Sequence, residues 1–106
     1  MDSDQPNRSP GADPAARWSA RDSVLASPLG GEVVLLEPEA GVYYSLNEVG
    51  AFIWDLLHEP STLSELSGAV VKEFEVDLET CQPDIARVLN ELLEHALVEV
   101  EPAPNP

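Results

Sequence analysis

The sequence predicts an α+β fold, a three-stranded antiparallel sheet followed by three helices. Three observations carry that prediction. Apolar residues recur with a period of two up to about residue 46 and with a period of 3.6 after it. Turn sequences rich in Pro and Gly, at residues 28–31 and 38–41, break up the first stretch. The second stretch carries capping-box spacings ahead of its apolar stripes.

The elements follow in order. Val24 to Ala26 is a weak strand, and Pro28-Leu29-Gly30-Gly31 is the turn after it. Glu32 to Glu37 (Glu-Val-Val-Leu-Leu-Glu) is a stronger strand, closed by Pro38-Glu39-Ala40-Gly41. Val42-Tyr43-Tyr44-Ser45-Leu46 is rich in the aromatic and β-branched residues that suit a pleated surface and completes a meander. The first helix starts near Asn47, where Ser45 and Glu48 have capping-box spacing, and carries Val49, Phe52, Ile53, Leu56 and Leu57. His58-Glu59-Pro60 ends it. Ser61 or Thr62 caps the second helix, with Thr62 and Glu65 spaced as a capping box and Leu63, Leu66, Val70 and Phe74 on one stripe. The third helix runs from about Thr80 to Ala96, because Pro83 is tolerated only in a first turn. Ile85, Val88, Leu89, Leu92 and Leu93 form its apolar side, and Leu97 to Glu101 then alternates as a short strand.

The chain's 106 residues suit one domain. Residues 1–21 read as a disordered tail, since Pro6, Pro10 and Pro14 lie among small and polar residues that bury too little to offset chain entropy. Trp18 is the exception and is expected to pack on the flank of the domain. The domain itself spans 22–101, and 102–106 is a second loose end.

Charge narrows the partners. The net charge is −15. Within residues 1–21, Arg8, Arg17 and Arg21 cancel Asp2, Asp4 and Asp13, so the rest of the chain, whose basic residues are Lys72 and Arg87, carries all of it. Such a surface repels phosphate backbones and points to a basic or apolar partner, with no nucleic acid. Cys81 is the only cysteine, so no intramolecular disulfide forms, and a cytoplasmic location is expected. The N-terminus lacks a signal-peptide pattern and no run approaches about 20 apolar residues, so no membrane association is expected.

No catalytic constellation emerges. His58, His95 and Cys81 are the soft ligands, and they sit on different elements without metal-ligand spacing, so neither a metal nor a cofactor is expected. The glycines mark turns with no phosphate-cradling pattern, and a solvated acidic face accounts for the carboxylates. Strands plus three helices also describe a winged helix. A DNA-reading helix, however, would carry basic residues, whereas the third helix places Arg87 among Asp84, Glu91 and Glu94. Asp22-Ser23-Val24 superficially fits an acyl-carrier attachment site, but it precedes a strand and not a helix.

The stretch Val34-Leu35-Leu36, then Gly41-Val42-Tyr43-Tyr44-Ser45-Leu46-Asn47-Glu48-Val49-Gly50 and Ile53-Trp54 with Leu56-Leu57, resembles the PqqD-like family. Asp84-Ile85, Leu89, Leu92-Leu93 and Leu97-Val98 fall at matching places in that family's third helix and beyond, and the resemblance covers about 22–101. It departs from the pattern at Cys81, at Pro83 and in its longer Pro-rich N-terminal tail. Among the family's branches it is most similar to the free-standing elements of lasso-peptide clusters.

The resemblance implies a winged-helix-like fold and a RiPP recognition element. Such an element is a non-catalytic module that binds the leader of a ribosomally made precursor peptide and presents it to a leader peptidase or other modifying enzyme. It also implies that the guest adds as a strand beside Val42 to Leu46, against the third helix. Asp84 and Glu91 would then meet basic leader residues and Val88 would border the groove. The candidate peptide-binding set is Val42, Tyr43, Tyr44, Ser45 and Leu46 with Asp84, Val88, Glu91 and Leu92. The alternative is a structural adaptor subunit of a biosynthetic enzyme complex.

Overall fold

The computed structural model describes residues 14–102. Its elements run β1 (Arg17–Ala20), β2 (Leu25–Leu29), β3 (Glu32–Glu37), β4 (Val42–Leu46), α1 (Glu48–Leu56), β5 (Ser61–Thr62), α2 (Leu63–Phe74), α3 (Leu78–Glu94) and β6 (Val98–Glu101). The α+β class and the three helices are as expected. The expected single sheet is corrected to two antiparallel three-stranded sheets, ordered β2-β3-β4 and β5-β1-β6.

The second sheet escapes sequence reading because its centre, β1, finds both partners far along the chain. Trp18 lies opposite Ser61 on one side and Val100 on the other, and Ala20 lies opposite Val98. No local hairpin announces such pairs. Trp18 and Val98 are both 2% exposed and join one core with Leu35, Ile53, Leu66 and Leu89. Arg17–Ala20 therefore belongs to the folded unit and not to a tail ending at residue 21. Residues 1–13 and 103–106, the remainder of the two expected tails, lie outside the described residues.

In the first sheet, β2 reaches Leu29 because the turn needs two residues alone. Gly30 (φ 56°) and Gly31 (φ 91°) supply the two left-handed positions of a tight hairpin. Such a turn closes a hydrogen-bonded pair, here Leu29 with Glu32, and hydrogen-bonded pairs then recur at every second residue. Glu32, Val34 and Leu36 thus direct their backbone bonds to β2, and Val33, Leu35 and Glu37 direct theirs to β4. By the register, Leu46, Tyr44 and Val42 answer from β4, which leaves the N–H and C=O groups of Tyr43 and Ser45 pointing away from the sheet.

The turn from β3 into β4 is held by a buried acid. Glu37 is 3% exposed, and its carboxylate accepts the Ala40 N–H and the Ser23 hydroxyl, both at 2.9 Å. These two donors hold its carboxyl below the usual carboxylate range, against the opposing effect of burial. Glu37 is the exception to a purely solvated set of acids.

At the end of β4 the chain turns into α1 through Asn47, whose Oδ1 accepts the Gly50 N–H at 2.9 Å. This cap replaces the expected Ser45/Glu48 box. At Gly50 an added Cβ would stand 3.0 Å from Leu46 Cδ2, so glycine lets α1 approach the strand closely. Trp54, off the main apolar stripe by spacing, is 5% exposed and buried in the core. Thr62 and Glu65 form the expected capping box of α2. The third helix, α3, starts two residues earlier than expected, leaving Pro83 inside it. A proline there forfeits one bond, to the Glu79 carbonyl, close enough to the helix start for packing of Ile85, Leu89 and Leu92 to outweigh the loss. Among the described residues, no helix is long and apolar enough to cross a membrane.

Candidate functional site

Within its sheet β4 pairs with β3 alone, so its other edge is open among the described residues. Its side chains alternate: Tyr43 and Ser45 face solvent, Tyr44 is half-buried and Leu46 is 4% exposed. Val42, Tyr44 and Leu46 thus share the face turned toward the helices.

Tyr44 spans the space between the strand and α3. Its hydroxyl donates to the Glu91 carboxylate, and its ring lies 5.3 Å from that of His95, tilted by 50°. Arg87, one turn before Glu91, bonds the same carboxylate at 3.2 Å. This ion pair is largely solvated and contributes little to stability in salt. Its use is to orient Glu91 toward the tyrosine. His95 Nδ1 lies 2.8 Å from the Glu91 carbonyl, which fixes the ring at the end of the helix.

The network shifts two acidities in opposite directions. The Glu91 bond, burial and the Glu91 charge together push the Tyr44 phenol from 10.0 up to about 12. Glu91 itself lies below the usual carboxylate range, chiefly through the Tyr44 hydroxyl and then Arg87. The raised phenol contributes stability in full below pH 10.0, and this is lost as pH rises through about 12. The lowered carboxyl contributes above its unfolded value of 4.5 and loses that as pH falls through its folded value. In a Tyr43→Phe protein Tyr44 is the sole tyrosine, and its phenolate absorbance is expected to titrate at about 12. Glu91→Gln should bring the midpoint down toward 10.0, and equal midpoints in the two proteins would refute the contact.

From Glu91 one stripe of α3 leads through Val88 to Asp84, at helical spacing. At its far end a cleft of about 290 Å³ opens where β4 hands over to α1. Its walls include Asn47, Val49, Phe74, Cys81, Asp84 and Val88. Asp84 is exposed at the mouth with no hydrogen bond or ion pair to a described residue, whereas Glu91 is already engaged by Tyr44 and Arg87.

The structure therefore sorts the candidate residues. Tyr44 meets Glu91 directly, and Asp84 and Val88, on the same stripe of α3, line the cleft further along. Tyr43 and Ser45 project to the opposite side of the sheet, so they offer a guest strand their backbone groups. Leu46 and Leu92, at 4% and 1% exposure, are core residues with no surface to offer. Sequence reasoning did not place Asn47, Cys81, Arg87 or His95 at this site. Arg87 was within reach through its four-residue spacing from Glu91, whereas the contact of His95 with Tyr44 depends on the tertiary fold. Among the described residues, no group of three or more His, Cys, Asp or Glu side chains could hold a metal ion.

Fold and site define a class, a small α+β domain with an open sheet edge running beside a helix. Residues 32–98 match the family model described as coenzyme PQQ synthesis protein D (PqqD). The chain belongs to the PqqD family. It is similar to the solved structure of TbiB1 in complex with the TbiA(beta) leader peptide, at 34% identity and a TM-score of 0.69, over 76% of this chain and 94% of that one. It also shares its fold with lasso peptide synthetase B1 complexed with the leader peptide, at 23% identity and a TM-score of 0.66, over 77% and 96% of the two chains. A comparison with curated proteins gave no match.

Proposed function

We propose that this chain is a non-catalytic RiPP recognition element of a lasso-peptide pathway, which captures the leader of a precursor peptide by strand addition to β4 and presents it to a leader peptidase or other modifying enzyme. The observation that carries this reading is the open edge of β4, which Tyr44 links to α3. The outward backbone groups of Tyr43 and Ser45 provide ladder bonds worth about 1 kcal/mol each, whatever the guest sequence. Tyr44 and the Val88 and Asp84 stripe of α3 then select among side chains. The similarity to TbiB1, solved with a leader peptide, supports the same choice of ligand.

The other edge of the sheet is poorly suited to the task. Strand β2 carries Pro28, and the ladder pattern derived above turns the backbone nitrogen of residue 28 away from β3. A guest arriving there meets a projecting ring and, at residue 28, no donor.

The acidic surface, with Asp84 at the cleft mouth, favours a leader with Lys or Arg near its docked segment, so affinity should fall as salt rises. The winged-helix-like layout serves here as a peptide scaffold in a cytoplasmic protein. Titrating a fluorescent leader peptide from the same gene cluster into the purified chain should give saturable, salt-sensitive binding in a one-to-one ratio. Absence of saturation at tens of micromolar would overturn the reading.

A further inference from the structure

Outside the first sheet, the large apolar side chains left exposed among the described residues are Val76 and Leu78, at 39% and 46%. Both lie where α2 passes into α3, in a run that alternates acid and apolar residue, Glu73-Phe74-Glu75-Val76-Asp77-Leu78-Glu79. Phe74 turns inward and meets Phe52 of α1 edge to face, with ring centroids 5.4 Å apart. That contact ties the junction to α1, so Val76 and Leu78 stand on a fixed support. Val76 also borders the cleft described above, whereas Leu78 lies outside it.

Folding does not account for the acids of this run. Glu73 sits in the last turn of α2 and Glu75 at its C-cap, the end of a helix that repels a carboxylate and suits Lys72 instead. Glu75 also takes a left-handed backbone (φ 54°), which glycine adopts without steric cost. At the start of α3, Asp77 gives the helix no side-chain cap bond. All four acids are exposed, and the ion pair found among the described residues, Arg87 with Glu91, involves none of them.

An apolar pair inside an acidic rim decides the kind of partner. A second copy is repelled, because it brings the same rim and a net charge of −15. A segment that carries an apolar side chain between Lys or Arg residues gains twice, as its charges meet the rim and its apolar atoms leave water.

We propose that the junction of α2 and α3, through Val76 and Leu78 and the carboxylates of Glu73, Glu75, Asp77 and Glu79, is a docking site for a Lys- or Arg-flanked apolar segment of a partner protein. It stands apart from the leader reading, which uses the edge of β4, and both sites can be filled at once.

The probe is a fluorescent amphipathic peptide of Leu and Lys, titrated into the purified full-length chain with and without excess leader peptide. A counterpart with Glu in place of Lys is the control. The Lys peptide should bind in a one-to-one ratio whether or not leader is present, and the Glu peptide should not bind. Val76→Ser/Leu78→Ser keeps the net charge, so it separates docking at this patch from general attraction to an acidic protein. Its affinity for the probe should fall roughly tenfold or more, while leader affinity stays within about twofold and the thermal midpoint holds. Glu73→Gln/Glu75→Gly should raise the thermal midpoint, by relieving the helix end and the left-handed residue, yet weaken the probe several-fold at low salt. Unchanged probe affinity in either variant overturns the proposal. So does displacement of the probe by leader, which would assign the patch to the guest, and so does a wild-type dimer that Val76→Ser/Leu78→Ser converts to monomer. If the wild type binds the probe as expected but no leader, the docking site stands and the leader reading falls.

Discussion

Trp18→Ala is expected to remove about 3–5 kcal/mol of folding stability, the usual cost of emptying a large buried aromatic site. With a domain of this size holding about 5–15 kcal/mol in total, much of the margin would go, and the thermal midpoint should drop by roughly 15 °C or more. The cause is its place in the fold. Trp18 is 2% exposed at the centre of β1, paired across the sheet with Val100 and Ser61. Losing it opens a void between the second sheet and the helices and loosens the strand that joins β5 to β6. Urea unfolding followed by circular dichroism measures the effect. A loss below about 1 kcal/mol, as for a surface residue, would mean that Arg17–Ala20 is an appendage.

Ser45→Pro is expected to weaken leader binding by roughly tenfold or more while leaving the fold intact. The ladder argument assigns Ser45 an outward N–H, so proline there removes a donor offered to the guest, about 1 kcal/mol, and sets its ring in the path of the incoming strand. Tyr44→Pro makes the contrast. The Tyr44 backbone faces β3, opposite Leu35, so the same substitution one residue earlier breaks the sheet itself and should unfold the protein. Ser45→Ala controls for the hydroxyl and should bind as the wild type does. Full leader affinity in Ser45→Pro would exclude strand addition at this edge. Retained enzyme association together with lost leader binding would separate a leader-binding module from a mere structural adaptor.

Much of this was legible in the sequence, for local reasons. The switch of apolar period separated sheet from helices, the Gly-Gly and Pro-rich turns fixed the meander, and Thr62 with Glu65 marked the start of α2. What escaped depends on contacts between distant residues. The strand holding Trp18 has one large apolar residue among Arg, Ser and Ala, so no alternation distinguishes it from the preceding Pro-rich stretch. Its partners are Ser61–Thr62 and Val98–Glu101, which no hairpin spacing reveals. Pro83 misplaced the start of α3 because one lost backbone bond weighs less than a full apolar stripe. At the site, period gave the strand and the helical spacing of Asp84, Val88 and Glu91, whereas the binding role expected of them came from the family resemblance. Leu92 belongs to the core stripe of the same helix, and the bond from Tyr44 to Glu91 required the packing of α3 against the sheet.

Pro28 gives the first sheet a polarity of growth. Among the described residues the flank at β4 is left unpaired, whereas the flank at β2 presents a ring and, at residue 28, a backbone nitrogen without a hydrogen. An open edge is ordinarily a seed for fibres. Here the ring at Pro28 obstructs the head-to-tail pairing of the β4 edge of one copy with the β2 edge of the next.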